Sequence, residues 1–287
     1  IPKHVRQNLQ RKMTENNTAY ELFLNARHLF NTMASGTDLN RAKKLYINAI
    51  ELDKEFIESY TDLAISCQRQ GNFEEAESYL EDGLEIADKN KDQQGIAYVY
   101  NGMGILYKGW SKYQKAAACF ENALKIEVQF ENRMAEAKIL NSMSGCMSNM
   151  GQIDKAFECV NKSLAIKKDL EDDETIGLSY GQIANTHFVE GDFAKAIEFG
   201  RKALGNFRSI QMVYNEGRIL VLLAEWYARV GYWDDALKYL HDGISICEEF
   251  EDQFVLGKIE FIKGLIESGN KQYALAAESM EEAVGLY

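Results

Sequence analysis

The feature that most limits what this chain can fold into is a repeat. Gly71-Asn72-Phe73-Glu74-Glu75-Ala76 recurs as Gly151-Gln152-Ile153-Asp154-Lys155-Ala156, as Gly191-Asp192-Phe193-Ala194-Lys195-Ala196 and as Gly231-Tyr232-Trp233-Asp234-Asp235-Ala236. Ser111-Lys112-Tyr113-Gln114-Lys115-Ala116 and Lys271-Gln272-Tyr273-Ala274-Leu275-Ala276 complete the series, so alanine falls at 76, 116, 156, 196, 236 and 276, a strict period of 40. An earlier copy, Leu39-Asn40-Arg41-Ala42, precedes Ala76 by 34. Seven units result. One unit of this size cannot bury its own apolar face, whereas stacked neighbours can, so the repeat implies a solenoid.

Each unit reads as two helices. In the third, Tyr100, Met103, Gly104 and Tyr107 share one face at i, i+3, i+4 and i+7. After the turn, Tyr113, Ala116, Phe120, Ala123 and Leu124 form the facing stripe. Gly104 and Ala116 let the two backbones approach, and the aromatics fill the space beside them. A single proline, Pro2, in 287 residues suits long helices, which tolerate none inside.

The residue pattern resembles the tetratricopeptide repeat: large–x2–large–small–x2–aromatic, then Gly–x–aromatic–x2–Ala–x3–large–x2–small. The third unit carries it as Tyr100, Met103, Gly104, Tyr107, Tyr113, Ala116, Phe120 and Ala123, the sixth as Leu220, Leu223, Ala224, Tyr227, Gly231, Trp233, Ala236, Leu240 and Gly243. The proline that usually closes the unit is missing, which fits a second helix running on through Leu124-Lys125-Ile126-Glu127-Val128-Gln129-Phe130. This longer variety is similar to the repeats of G-protein-modulator polarity scaffolds and of bacterial peptide-sensing regulators. The resemblance implies an all-α, right-handed superhelical solenoid of about seven helix-turn-helix units over residues 19–287, preceded by a basic linker or N-terminal helix at 1–18. A further resemblance concerns Ala19-Tyr20-Glu21-Leu22-Phe23-Leu24-Asn25-Ala26-Arg27. It is similar to the start of the C-terminal repeat domains of bacterial class III adenylate cyclases and serine/threonine kinases, with Ala26 where glycine is usual.

Two units depart from the pattern. Ser35-Gly36-Thr37 lengthens the first turn, and in the last unit Glu260, Lys263 and Glu267 stand where core residues are expected, with Ile259, Ile262 and Ile266 one place earlier. Either the register slips near Gly269-Asn270 or that helix presents a different face. The chain opens on Ile1 and stops at Tyr287 inside a helical pattern, so it is expected to be a piece of something longer. At the repeat alanines a larger side chain should force the helices apart, while Ala19, at the edge of the array, should tolerate one.

A net charge of −12 argues against nucleic acid as a partner, since phosphate binding needs a basic stripe. Only the first residues are locally basic, with Lys3, Arg6, Arg11 and Lys12 before Glu15, and they read as a solvated linker. No apolar run reaches membrane-spanning length, so no membrane partner is expected. Cys67, Cys119, Cys146, Cys159 and Cys247 show no CxxC spacing and fall at apolar helical positions, which suggests reduced thiols in a cytoplasm. His4, His28, His187 and His241 show no metal-ligand spacing, and His187 takes the aromatic core slot of the fifth unit. The carboxylate runs Glu171-Asp172-Asp173-Glu174 and Glu248-Glu249 with Glu251-Asp252 read as helix starts, where negative charge meets the N-terminal dipole. No cofactor, metal or catalytic constellation is expected, and the chain reads as a binding scaffold, not an enzyme.

In repeats of the resembled family the first helices line a concave groove. The non-core positions counted from the register are Tyr98, Asn101, Ile105 and Lys108 in the third unit, and Lys138, Asn141, Gly145 and Ser148 in the fourth. The fifth adds Leu178, Asn185 and Phe188, and the sixth Arg218, Val221, Glu225 and Arg229. Asparagines there suit an extended peptide or partner helix, because an amide both donates and accepts. The basic residues suit an acidic partner. The clamp that grips chaperone C-terminal carboxylates is not reproduced, since Lys138 is followed four residues on by Ser142 and Arg218 by Leu222. The alternative role is that of a regulatory or self-associating domain of a multidomain signalling enzyme, with a homodimer formed through a terminal repeat.

Overall fold

A computed structural model describes residues 12–32, 36–247, 253–269 and 271–286. Among them the chain is helical throughout, with no strand. The elements are α1 (Asn17–Thr32), α2 (Gly36–Leu52), α3 (Ile57–Arg69), α4 (Phe73–Lys89), α5 (Gln93–Gly109), α6 (Tyr113–Gln129) and α7 (Arg133–Asn149). They continue as α8 (Ile153–Asp169), α9 (Asp173–Glu190), α10 (Phe193–Ser209), α11 (Val213–Arg229), α12 (Trp233–Cys247), α13 (Gln253–Gly269) and α14 (Tyr273–Leu286). They make seven hairpins in two compact units, one built on α1–α8 and ending at Glu171, the other on α9–α14 and starting at Asp172.

The 40-residue period is two matched halves. From α4 to α8 each helix is 17 residues long, and successive helices start at Phe73, Gln93, Tyr113, Arg133 and Ile153. The linkers from α3 to α12 share one geometry. A left-handed residue ends one helix, and the next residue's N–H reaches back to a carbonyl of the last turn: Asn72 to Cys67 O at 3.0 Å, Asp92 to Ala87 O at 2.9 Å, Lys112 to Tyr107 O at 2.8 Å. Within hairpins the left-handed residue is Gly71, Gly151, Gly191 or Gly231, replaced by Ser111 and Lys271 in two units. Between hairpins it is Lys91, Glu131, Glu171 or Gln211, at φ of 52° to 58°. The residue that closes one helix then caps the next. Asp92, Asn132, Asp172 and Asp192 each accept the N–H three residues on, which is the helix-start role read for the 171–174 run. Glu248, Glu249, Glu251 and Asp252 lie outside the described residues.

The cores follow the small-residue register. Ala42, Ala76, Ala116, Ala156, Ala196 and Ala236 have no exposed surface, and Ala276 has almost none. A methyl added to Gly104 would lie 2.5 Å from the Phe120 ring, and one added to Gly200 would lie 2.5 Å from the Trp226 ring. In the first unit Ala19, Phe23, Ala26, Tyr46, Phe56, Leu63 and Leu80 share one cluster, with Phe23 4.9 Å from Phe56 between ring centroids. Ala19 is therefore core, against the expectation that it tolerates a large side chain. Thr14 donates to Asp53, and Asn16 binds Leu52 O and caps α1 through Ala19 N, so α1 is tied down at its start. Lys12 pairs with Glu15, while Lys3, Arg6 and Arg11 of the basic segment lie outside the described residues, as does Ser35 of the first turn.

In the second unit α13 begins 40 residues after α11, so there is no slip in the helix itself. Its buried residues Val255, Gly257, Ile259, Ile262, Gly264 and Ile266 occupy the places of Gly95, Ala97, Val99, Gly102, Gly104 and Leu106, all buried in α5. The face is the ordinary one. What differs is the neighbouring stripe, where Glu260 pairs with Lys263 and Glu267 accepts from Ser279, in place of Tyr100, Met103 and Tyr107.

Candidate functional site

In the unit of α1–α8, helices α1, α2, α3 and α5 bring together residues far apart in sequence. Asp62 on α3 has 12% of its side chain exposed. Tyr98 Oη on α5 donates to Asp62 Oδ1 at 2.7 Å, Tyr46 Oη on α2 lies 3.5 Å from Oδ2, and Arg27 Nε on α1 lies 3.5 Å from Oδ2. Burial pushes the Asp62 carboxyl above its ordinary range. Arg27, the hydroxyls of Tyr98 and Tyr46, and Lys138 on α7 pull it back without cancelling that push. The Tyr98 hydroxyl is pushed well up by burial and by the Asp62 charge. Tyr98 thus ties one first helix to the previous one instead of facing out as an open groove contact.

The other positions counted from the register fall into three groups. Lys138 is exposed. Asn101, Ile105, Lys108 and Asn141 are half-buried, with Ile105 packed beside Ala116 and Phe120. The Asn141 Oδ1 is enclosed and accepts no hydrogen bond from the described residues. Gly145 and Ser148 are buried, which corrects their placement on the open face.

The unit of α9–α14 has its own first-helix face. Asn185 and Phe188 are half-buried on α9, and Phe188 packs 6.0 Å from Trp226 and 5.7 Å from Phe193. Arg218 is exposed on α11 with its guanidinium over the Tyr214 ring. Val221 and Glu225, expected to point outward, are instead buried, at 1% and 4% exposure. The cause is the neighbouring first helix. Val221 clusters with Val255, Ile259 and Ile262 of α13, and Lys258 Nζ of α13 stands 2.8 Å from Glu225 Oε2. Arg229 Nη2 is 3.8 Å from Glu225 Oε1, and its guanidinium lies over the Phe261 ring at 5.5 Å. Lys258 was absent from the sequence reading, yet it stands 40 residues after Arg218, and the same register carried one unit further finds it. Arg27, Tyr46 and Asp62 were missed because the first units break the strict period.

No group of described His, Cys, Asp or Glu residues is arranged to hold a metal. His187 is buried, stacked on Phe199 at 5.8 Å, with Nδ1 3.0 Å from Glu190 Oε2, as suits its core slot. Burial pushes the Cys67 and Cys146 thiols up to about 11 and those of Cys119 and Cys159 upward too, away from the thiolate that nucleophilic chemistry needs. No described helix is long and apolar enough to cross a membrane.

Comparison with known proteins agrees with this architecture. Residues 55–126 and 219–253 match tetratricopeptide-repeat family models. No curated protein sequence matches the chain. Among solved structures, a Rap protein complexed with Competence and Sporulation Factor superposes with a TM-score of 0.65 at 14% identity, over 93% of this chain and 98% of that one. Aspartyl phosphate phosphatase F from Bacillus subtilis superposes with a TM-score of 0.60 at 12% identity, over 98% and 86%. A signal transduction ATPase with a tetratricopeptide repeat sensor from Pyrococcus horikoshii gives 0.58 at 17% identity, over 98% of this chain and 44% of that one. At such identities the likeness is one of fold. With the 40-residue register, the paired helices and the matched segments in agreement, the chain carries tetratricopeptide repeats.

Proposed function

We propose that the chain is a non-catalytic scaffold that binds a peptide segment or partner helix along the concave face of its first helices. The observation that carries this reading is Asn141. A half-buried amide whose Oδ1 accepts no hydrogen bond from the described residues is costly to keep, by about 1–3 kcal/mol, unless something arriving from outside supplies the donor. Asn101 on the preceding first helix and Asn185 in the other unit offer the same chemistry, and Ile105 and Phe188 supply apolar surface beside them. The Rap protein solved with Competence and Sporulation Factor supports the reading, as a similar fold holding a ligand. A second reading, as the sensor or regulatory domain of a multidomain signalling protein, draws support from the Pyrococcus horikoshii ATPase, of which this chain matches 44%. On either reading residues 1–18 serve as a linker into the array, in a cytoplasmic protein.

Selection from a displayed random peptide library, followed by titration of the winners, tests the first reading. Changing Asn101 and Asn141 together to alanine should weaken binding by about fivefold or more, at roughly 0.5–1.5 kcal/mol per lost hydrogen bond, with helicity unchanged. Lys125→Glu, on the exposed side of second helix α6, should leave binding intact. Loss of binding in Lys125→Glu with normal binding in the asparagine variant would move the partner to the second helices and end this proposal.

A further inference from the structure

One stripe of α7 is built from thioethers. Met143, Met147 and Met150 stand at i, i+4 and i+7, with Met150 as the residue that closes the helix. The equivalent positions are Leu63, Cys67 and Gln70 in the second unit and Leu223, Tyr227 and Val230 in the sixth, so the three methionines are particular to this hairpin and not to the repeat. Met147 is buried in a cluster with Ala117 of α6 and Ala156 of α8, and Met143 and Met150 pack against it. The same two side chains also pack against the cluster of Phe120 and Cys146 that joins α6 to α7. A sulfur-rich seam therefore runs where three consecutive helices of the α1–α8 unit meet.

The seam is sensitive to an oxidant for two reasons. Met143 and Met150 are half-buried, so each keeps part of its surface open to solvent. A thioether also reacts without ionising, whereas the Cys146 thiol must first lose a proton, and burial pushes it up to about 11. Oxygen on the sulfur turns a flexible apolar side chain into a polar one with a hydrogen-bond acceptor. Ser144, beside Met143, already commits its hydroxyl to Ala156 O at 2.8 Å. A sulfoxide kept in the seam without a donor is unfavourable, and one that turns out to water gives up its contacts with α6 and α8.

We infer that Met143 and Met150 form a reversible oxidation site, at which hydrogen peroxide converts the thioethers to sulfoxides and loosens the packing of α6, α7 and α8. The sulfur lone pair attacks one peroxide oxygen, the O–O bond breaks, and the other oxygen leaves as water after a proton shift. Sulfur gives up two electrons and the peroxide takes them. A thiol-dependent methionine sulfoxide reductase reverses the step, removing the oxygen as water while two thiols become a disulfide. The site acts on the order of the helices, whatever ligand they hold.

The full chain is treated with hydrogen peroxide, sulfoxides are located by peptide mass spectrometry, and amide hydrogen exchange is followed helix by helix. Met143 and Met150 should gain oxygen in the native state ahead of the buried Met147. Exchange in α6–α8 should then quicken by about tenfold or more, as expected for a buried polar group without a partner, while α11 and α12 keep their rates. Sulfoxide reductase with dithiothreitol should restore slow exchange. The decisive variant replaces Met143 and Met150 with leucine, a volume-conserving change that Leu63 and Leu223 already represent at the first position. Before oxidation its circular dichroism should match that of the unmodified chain. Peroxide should leave its α6–α8 rates unchanged, although all five cysteines and Met13, Met103, Met134, Met212 and Met280 are still present. Should the double variant be less ordered, Met143→Leu and Met150→Leu singly carry the same test, each removing part of the response.

The inference is overturned if neither sulfur is oxidised before the chain unfolds, or if both are oxidised and α6–α8 exchange at the old rate. It is equally overturned if the leucine variant loosens under peroxide as much as the unmodified chain, since another methionine or a cysteine is then responsible.

Discussion

Asp62 shows how one side chain records the packing of four helices. Its carboxyl is pushed up by burial, so the folded chain holds that proton more tightly than the unfolded chain does. Between the ordinary value of 3.8 and the raised one, folding takes up a proton, and stability falls as pH rises through that window. Asp62→Asn cannot ionise, so its melting temperature relative to the unmodified protein should climb across the window and then level off. A flat difference would show that the burial is not felt. Packing residues give a second expectation at this scale. Ala156 is fully buried beside Met143, Met147 and Met150, and its carbonyl accepts from Ser144 Oγ at 2.8 Å. Overpacking such a site costs about 1–3 kcal/mol, and an unpaired charge adds to that, so Ala156→Arg should unfold the first unit in a denaturant titration. Leu24→Arg is the matched control, because Leu24 is exposed whereas Ala19 is not. The thiols should follow burial in the same way. Native Cys67 and Cys146, pushed up to about 11, should react with a thiol reagent at pH 8 far more slowly than after denaturation.

At the scale of elements the linkers set the register. Gly151 sits at φ 73°, where an L side chain is strained, and Ser111 occupies the same conformation at φ 57° in another unit. Gly151→Ala should therefore destabilise by about 1 kcal/mol, and Ser111→Gly should stabilise by up to about 1 kcal/mol, both read from urea midpoints. Neither position has anything to do with the first-helix face, so ligand binding should be unchanged. The cap at Asn132, whose Oδ1 accepts from Ala135 N at 3.3 Å, should cost about 1 kcal/mol when replaced by alanine. The hairpin glycines were visible in the sequence because one residue type recurs. The linkers between hairpins were not, although their geometry is the same. Lys91, Glu131, Glu171 and Gln211 share no side-chain chemistry, and only their backbone conformation repeats.

For the whole molecule, the sequence by itself determined the repeat, its period, the two-helix unit and the small residues at the helix crossings. These are local or periodic properties: an alanine every 40 residues and an apolar stripe at helical spacing survive in one dimension, because stacking identical units demands identical residues at each contact. The tertiary structure decided which non-core positions are open. Counting along one helix cannot tell whether a side chain faces solvent or the neighbouring first helix, since that depends on how adjacent hairpins pack. Tyr98 was therefore expected outside and is tied to Asp62, and Val221 and Glu225 were expected outside and are covered by α13. The polar stripe of α13 left a slip in register or a different face open, whereas the buried stripe beside it keeps the positions of α5. The charge at a first-helix position was legible from the residue name; its pairing was not, because Arg27 and Asp62, or Glu225 and Lys258, become neighbours only once successive hairpins stack.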